Sequence, residues 1–192
     1  MAKPIKIVNT EVLHKSKYTL KNVTYEEHKE GSTAKTITRE VYDRGSAAAV
    51  LLYNKQQKTV VLTKQFRLPS FLNGNKDGVL IEACAGMLDK DDPETCARRE
   101  AEEETGYKIV GVQHAFDAYT SPGGVTEILY CFVAEYTPEM KVAAGGGLAA
   151  EGEHIELLEP TLDAALHMIT TGEIKDAKTI MLLQYAKLHN LV

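Results

Sequence analysis

The sequence predicts an α+β fold: a mixed β-sheet packed between helices, an α/β/α sandwich, with a further antiparallel sheet formed by the N-terminal strands. Three observations predict it. Residues 4–44 are rich in Thr, Val, Ile and Tyr with partial alternation; two apolar runs, "AAAVLLYN" and "TVVLTKQFR", flank a polar "KQQK"; and a polar, acidic helix at 93–105 interrupts the strands before two helices close the chain. Strands, helix, strands and helices in that order fit a sheet with both faces covered.

Each element has a local reason. "YTLKNVTYEEH" and "KTITREVYDR" read as strands, with Gly31-Ser32 as the turn between them. The two apolar runs read as a buried hairpin. "LPSFLNGNKDG" carries Pro, Asn and Gly and reads as a loop, and "VLIEACAG" as one strand ending at Gly86. Asp91-Asp92-Pro93-Glu94 is a helix start, because acids near the first turn suit the helix dipole and Pro tolerates the first position. Gly106 suits a left-handed cap after Thr105. Strands follow near 107–119 and 126–136, then the glycine-rich acidic loop "AAGGGLAAEGEHIE", then helices near 160–170 and 177–189. Residues 1–44 form an N-terminal β region and 45–192 the main domain.

Composition narrows the function. The chain has 192 residues, 44% of them hydrophobic, enough for a sizeable core. Its formal net charge of −5 argues against nucleic acid or an anionic membrane as main partner. Cys84, Cys96 and Cys131 form no Cys-x-x-Cys pair and read as reduced thiols in or near the core. No secretory signal and no membrane-spanning run is read, so a cytoplasmic location is expected.

The chemistry is concentrated in "AGMLDKDDPETCARREAEEETGY", residues 85–107. At about 100° per residue Glu100 and Glu104 share a helix face, and Glu103 lies close enough for three carboxylates to converge. Convergent anions repel unless a cation sits between them, and oxygen ligands favour Mg²⁺ or Mn²⁺. The strand ending at Ala85-Gly86 and the loop after it can aim a backbone carbonyl at the same ion. The plainer alternative is a solvated acidic helix with pairs such as Arg99 with Glu103. No Walker sequence, no Gly-x-Ser-x-Gly and no histidine ligand spacing occurs.

This segment resembles the Nudix box, with Gly86, Arg99, Glu100, Glu103, Glu104 and Gly106 in matching positions. Asp92 stands where that family usually has Glu, and the spacer to Arg99 is one residue short. "REVYDRG", "KQFR", "EACAG" and a Pro sixteen residues past Gly106, Pro122, resemble the ADP-sugar pyrophosphatase branch. "NGN", "SPGGVTE", the triple Gly at 145–147 and "TGEI" with "KT" at 178–179 are closer to its bacterial GDP-mannose hydrolases.

The resemblance implies a Nudix-type sandwich and a homodimer. It implies cleavage of a nucleoside diphosphate sugar, GDP-mannose foremost, to GMP and hexose 1-phosphate, with two or more Mg²⁺ ions per site. ADP-ribose hydrolysis, or a non-catalytic nucleotide-binding domain, are the alternatives. Expected metal ligands are Ala85 through its carbonyl, Glu100, Glu104 and Glu153. Expected catalytic residues are Glu153, favoured over Glu151 as general base, and Glu103. Expected substrate contacts are Arg39 and Arg67 as phosphate forks, Lys178 as a point charge, and Glu40, Gly86 and Met87. Glu127 is expected to meet sugar hydroxyls or a metal, and Tyr18 either stacks on the base or packs in the sheet.

Overall fold

In the computed structural model, residues 5–28, 33–148 and 152–192 are described, and they divide into two compact units. The first comprises residues up to Ser46 together with Tyr119–Ile128. Its antiparallel sheet has the order β1 (Ile5–Lys15), β2 (Thr19–Glu27), β3 (Lys35–Asp43). Thr19 opposite Asp43 and Glu27 opposite Lys35 set the β2–β3 register. The expected turn at Gly31-Ser32 lies outside the described residues. The segment 119–128 joins this unit through backbone bonds on either side of Tyr42: Tyr42 N donates to Gly124 O at 2.7 Å, and Thr126 N donates to Tyr42 O at 3.1 Å. β1 is exposed along its whole length.

The second unit is built on β4 (Ala47–Asn54). β4 pairs in parallel with β9 (Leu129–Glu135) and antiparallel with β5 (Thr59–Phe66) and β7 (Cys84–Met87), so the sheet is mixed. β10 (Glu156–Leu158) and β6 (Val79–Glu82) flank β5, and β8 (Gln113–Ala118) flanks β9. All eight residues of β4 are buried, and their alternation explains why. Ala47, Ala49, Leu51 and Tyr53 face one core layer, with Leu162, Ala165, Leu182 and Leu183 from α3 (Leu162–Thr171) and α4 (Ala177–Leu188). Ala48, Val50 and Leu52 face the other, with Cys96, Ala97 and Ala101. A strand with side chains on both faces needs both covered, and the helices do this. The expected sandwich of helices about a mixed sheet is thus present, with a separate N-terminal antiparallel sheet.

Three local readings change. "LPSFLNGNKDG" contains a short helix, α1 (Leu68–Leu72), after Arg67. The single strand expected at 79–86 is two: β6 pairs with β5, the chain breaks at Ala83, and β7 pairs with β4. The glutamate helix is regular only as α2 (Pro93–Glu100) and widens into a five-residue π-helical turn at Ala101–Thr105. Its start is as expected: the Asp92 carboxylate accepts from Glu94 N and Thr95 N, both at 3.1 Å, and Gly106 closes it at φ 76°. Among the described residues no helix is long and apolar enough to cross a membrane.

Candidate active site

β7, the loop after it and α2 bring the acidic residues of the second unit together. A Cβ on Gly86 would fall 1.9 Å from Glu100 Oε1, so the Glu100 carboxylate rests directly against the strand backbone beside Ala85. That close approach is why glycine is required there. Arg99 ties the surroundings together. Its Nε donates to Asp91 at 3.0 Å, and its Nη1 to Glu100 Oε1 at 2.8 Å and to Glu103 Oε2 at 3.1 Å. Its Nη2 faces the Met87 carbonyl at 3.5 Å. The Arg99–Glu103 pair read as the plainer alternative is therefore present, and Arg99 takes one oxygen of Glu100 as well.

Glu104 is different. It is 3% exposed, lies beside the Cys84 thiol, and its Oε2 is buried with no hydrogen-bond partner among the described residues. Burial, then the Glu100 charge, push its carboxyl up to about 8. Glu100 is also raised, first by burial and then by Glu103 against the opposing pull of Arg99. Among the described residues no three acidic, imidazole or thiol side chains already close on one point. What exists is a carboxylate pair short of positive charge, with one orphaned oxygen. A divalent cation fits that deficit, since hard cations complete their shells with backbone oxygen, water and substrate phosphate.

Glu153 approaches from the glycine-rich loop. Its Oε2 accepts from Leu148 N at 2.9 Å, and its carboxylate occupies the space a Gly147 side chain would need, 2.6 Å from the would-be Cβ. Its charge contributes to raising both Glu100 and Glu104. Glu151, the rival base, lies outside the described residues.

Arg67 and Lys178 meet on a residue the sequence reading did not single out. Glu82, 2% exposed, accepts from Arg67 Nε at 2.8 Å, from Arg67 Nη2 at 3.0 Å and from Lys178 Nζ at 2.5 Å. Burial alone would raise the Glu82 carboxyl; the two cations override it and hold it at about 2. Lys178 also pairs with Asp176 at 3.1 Å. Asp176 caps α4 by accepting from Thr179 N, and the Thr179 hydroxyl, 0% exposed, accepts from Ala83 N at 2.7 Å. The available signal was an acid inside the apolar run "VLIEACA", since a buried carboxylate requires partners.

The other expected contacts belong to the first unit. The Tyr18 ring packs edge-on against Tyr42 at 5.9 Å, with the Arg44 guanidinium 5.5 Å from its centre. Arg39 and Glu40 lie on β3 opposite Val23 and Asn22 and are exposed. Glu127 sits 3.4 Å from Arg44 and 3.4 Å from the Thr120 hydroxyl.

A NUDIX domain model matches residues 43–183. The chain is also similar from end to end to proteins named GDP-mannose pyrophosphatase. It is 47% identical over 192 residues to that of Escherichia coli O157:H7, covering 100% of both chains. It is 48% identical, again with 100% of both covered, to that of Escherichia coli O6:H1 (strain CFT073). Against that of Yersinia pestis (strain Pestoides F) it is 51% identical over 189 residues, covering 98% of this chain and 94% of the other. A glutamate helix docked on a glycine strand, a family model spanning most of the sequence and relatives alike over their full length lead to one conclusion: the chain belongs to the NUDIX family of hydrolases.

Proposed function

We propose that this enzyme hydrolyses the diphosphate of GDP-mannose, adding water to release GMP and mannose 1-phosphate. The carrying observation is the orphaned, buried oxygen of Glu104 beside Glu100, in a chain so similar to proteins named for that reaction. Glu100 and Glu104 are the residues to hold Mg²⁺, with the Ala85 carbonyl and Glu153 completing the set; two or more ions serve a diphosphate. When bound, the metal acidifies water and neutralises phosphoryl charge.

The protein's own groups do the rest. Glu153 takes the proton of the attacking water, and Glu103, steadied by Arg99, keeps the cluster anionic. Arg67, anchored to Glu82 through Nε and Nη2, keeps its remaining N–H groups for phosphate. Lys178 balances Glu82 behind it and adds positive potential. Gly86 and Met87 line the strand side. Tyr18, Arg39, Glu40 and Glu127 recognise base and sugar, acting in a homodimer built through the exposed β1–β3 sheet, in the cytoplasm. Among the described residues β1 is an exposed edge strand with only β2 beside it, and so long an edge calls for such a partner.

The test is a panel of GDP-mannose, other GDP-hexoses, ADP-ribose and ADP-sugars with Mg²⁺ in ¹⁸O-labelled water. GDP-mannose is expected to show the highest kcat/KM, and the label reports which phosphorus is attacked. A higher kcat/KM for ADP-ribose would refute the base assignment, and absence of turnover on every substrate would leave a binding domain. Mixing Arg39→Ala with Glu104→Gln chains, subunit exchange confirmed, tests the dimer: no recovered activity means the two residues serve one site from one chain.

A further inference from the structure

The wide turn at Ala101–Thr105 has an identifiable cause. In a regular α-helix the Ala101 carbonyl would accept the Thr105 backbone N–H. Here it accepts the Thr105 hydroxyl. A threonine bonding back to the carbonyl four residues earlier competes with the helix ladder and bends it. The Thr105 hydroxyl oxygen in turn accepts from Tyr107 N at 3.2 Å, joining the end of the helix to the chain that leaves it. Thr105 is 0% exposed, so water is not at hand to replace either bond.

The turn lies between the two carboxylates of the pair. In a regular helix positions 100 and 104 would stand roughly 40° apart. Bonding five residues back widens the turn beyond the 3.6 residues of an α-helix, toward a register in which positions four apart stack along the axis. Carbonyls at this helix end are then taken up from outside the helix. Gly146 N donates to Glu104 O at 2.8 Å and Gly147 N to Glu103 O at 3.2 Å. A Cβ on Gly145 would come within 2.5 Å of the Thr105 carbonyl carbon, so glycine permits the strap to approach this closely. The triple glycine thereby clamps the end of the glutamate helix and leads directly to Leu148, which holds Glu153.

We propose that Thr105 is a positioning residue: its hydroxyl sets the wide turn that lines Glu104 up with Glu100 for a shared divalent cation. The inference rests on reading those two glutamates as the cation's ligands. Thr105→Val keeps the branched shape and loses both hydrogen bonds; Thr105→Ser keeps the hydroxyl. The full chain, free of substrate, is titrated with Mn²⁺ by calorimetry, after thermal melting in chelator has verified folding. Thr105→Val is expected to bind Mn²⁺ roughly 10-fold more weakly, the low end of the range seen when outer groups that orient a metal's ligands are lost, because Thr105 acts on Glu104 through the backbone. kcat falls by a similar factor while KM for the nucleotide sugar changes little. Thr105→Ser stays within about 3-fold of the parent on every measure, well inside that range. If the valine variant does not fold, Thr105→Cys, of similar size but a weak donor, is read instead with the same loss expected.

Parental Mn²⁺ affinity in Thr105→Val overturns the proposal, as does a serine variant as impaired as the valine one. Glu104→Gln is the control. If it loses Mn²⁺ binding while Thr105→Val keeps it, only the role of Thr105 fails; if neither variant loses binding, the ligand reading itself is wrong.

Discussion

Glu82 and Glu104 are buried to the same degree, 2% and 3% exposed, yet they stand in opposite electrostatic states. Glu82, at the end of β6, is gripped by Arg67 and Lys178 and held at about 2. Glu104, in the wide turn after α2, has an oxygen with no partner and is pushed up to about 8. Burial raises the cost of charge at both sites. At Glu82 two cations are in direct contact, whereas among the described residues none forms an ion pair with Glu104, which feels Arg67 only at a distance. A buried carboxylate already neutralised is part of the framework, whereas one left short of charge suits the cation site proposed above for Glu104.

Three measurements bear on this contrast. The largest effect is expected at Glu82. Glu82→Gln strands Arg67 and Lys178 without their shared anion, and removing one member of a buried ion pair costs about 3–5 kcal/mol. Urea denaturation of the chelated protein should show that loss; a change below about 1 kcal/mol would mean the cations find other partners.

Next comes Glu104→Gln, which keeps shape but removes charge. kcat at saturating Mg²⁺ is expected to fall at least about 10²-fold, equivalent to roughly 3 kcal/mol of barrier. Near-parental turnover would show that Glu104 is not a ligand. The stability of the same variant should move the other way: in chelator at pH 8 it should melt above the parent.

The smallest effect is the pH dependence without metal. Glu82 is lowered on folding, so its stabilisation is complete above the unfolded value of 4.5 and is lost as pH falls through about 2. Glu104 is raised, so the folded state holds its proton where the unfolded chain has released it. Stability therefore declines as pH climbs from 4.5 to about 8 and then levels. From pH 7 to 8 the slope is at most about 1.4 kcal/mol per pH unit. Mg²⁺ should raise the melting temperature more at pH 8 than at pH 6, and Glu104→Gln should flatten the upper limb. A parent protein equally stable at pH 6 and 8 in chelator would contradict the picture.

Much of the fold could be read from neighbouring residues. The apolar runs of β4 and β5, the Asp92 cap and Gly106 are local signals, and the structure follows them. What escaped depended on distant partners. "VLIEACAG" has the composition of one strand, and only the competition of β5 and β4 for its two halves breaks it at Ala83. Lys178 reads in sequence as a point charge for phosphate because its partner Glu82 is 96 positions away. The wide turn escaped because a threonine near a helix end usually signals nothing; its effect depends on burial, which spacing does not reveal. Residues 119–128 read as strand and loop in sequence, and their docking beside Tyr42 rests on two backbone bonds without side-chain signature.

The bond from Ala83 N to the Thr179 hydroxyl has a consequence for watching this protein at work. Between β6 and β7 this amide is held by a side chain of α4 instead of by a neighbouring strand. Its exchange with solvent deuterium therefore follows the seating of α4 on the sheet, while the amides of β4 report opening of the sheet itself. A single resonance, two positions before Ala85, thus serves as a gauge of how firmly the last helix braces the strand that carries Ala85 and Gly86.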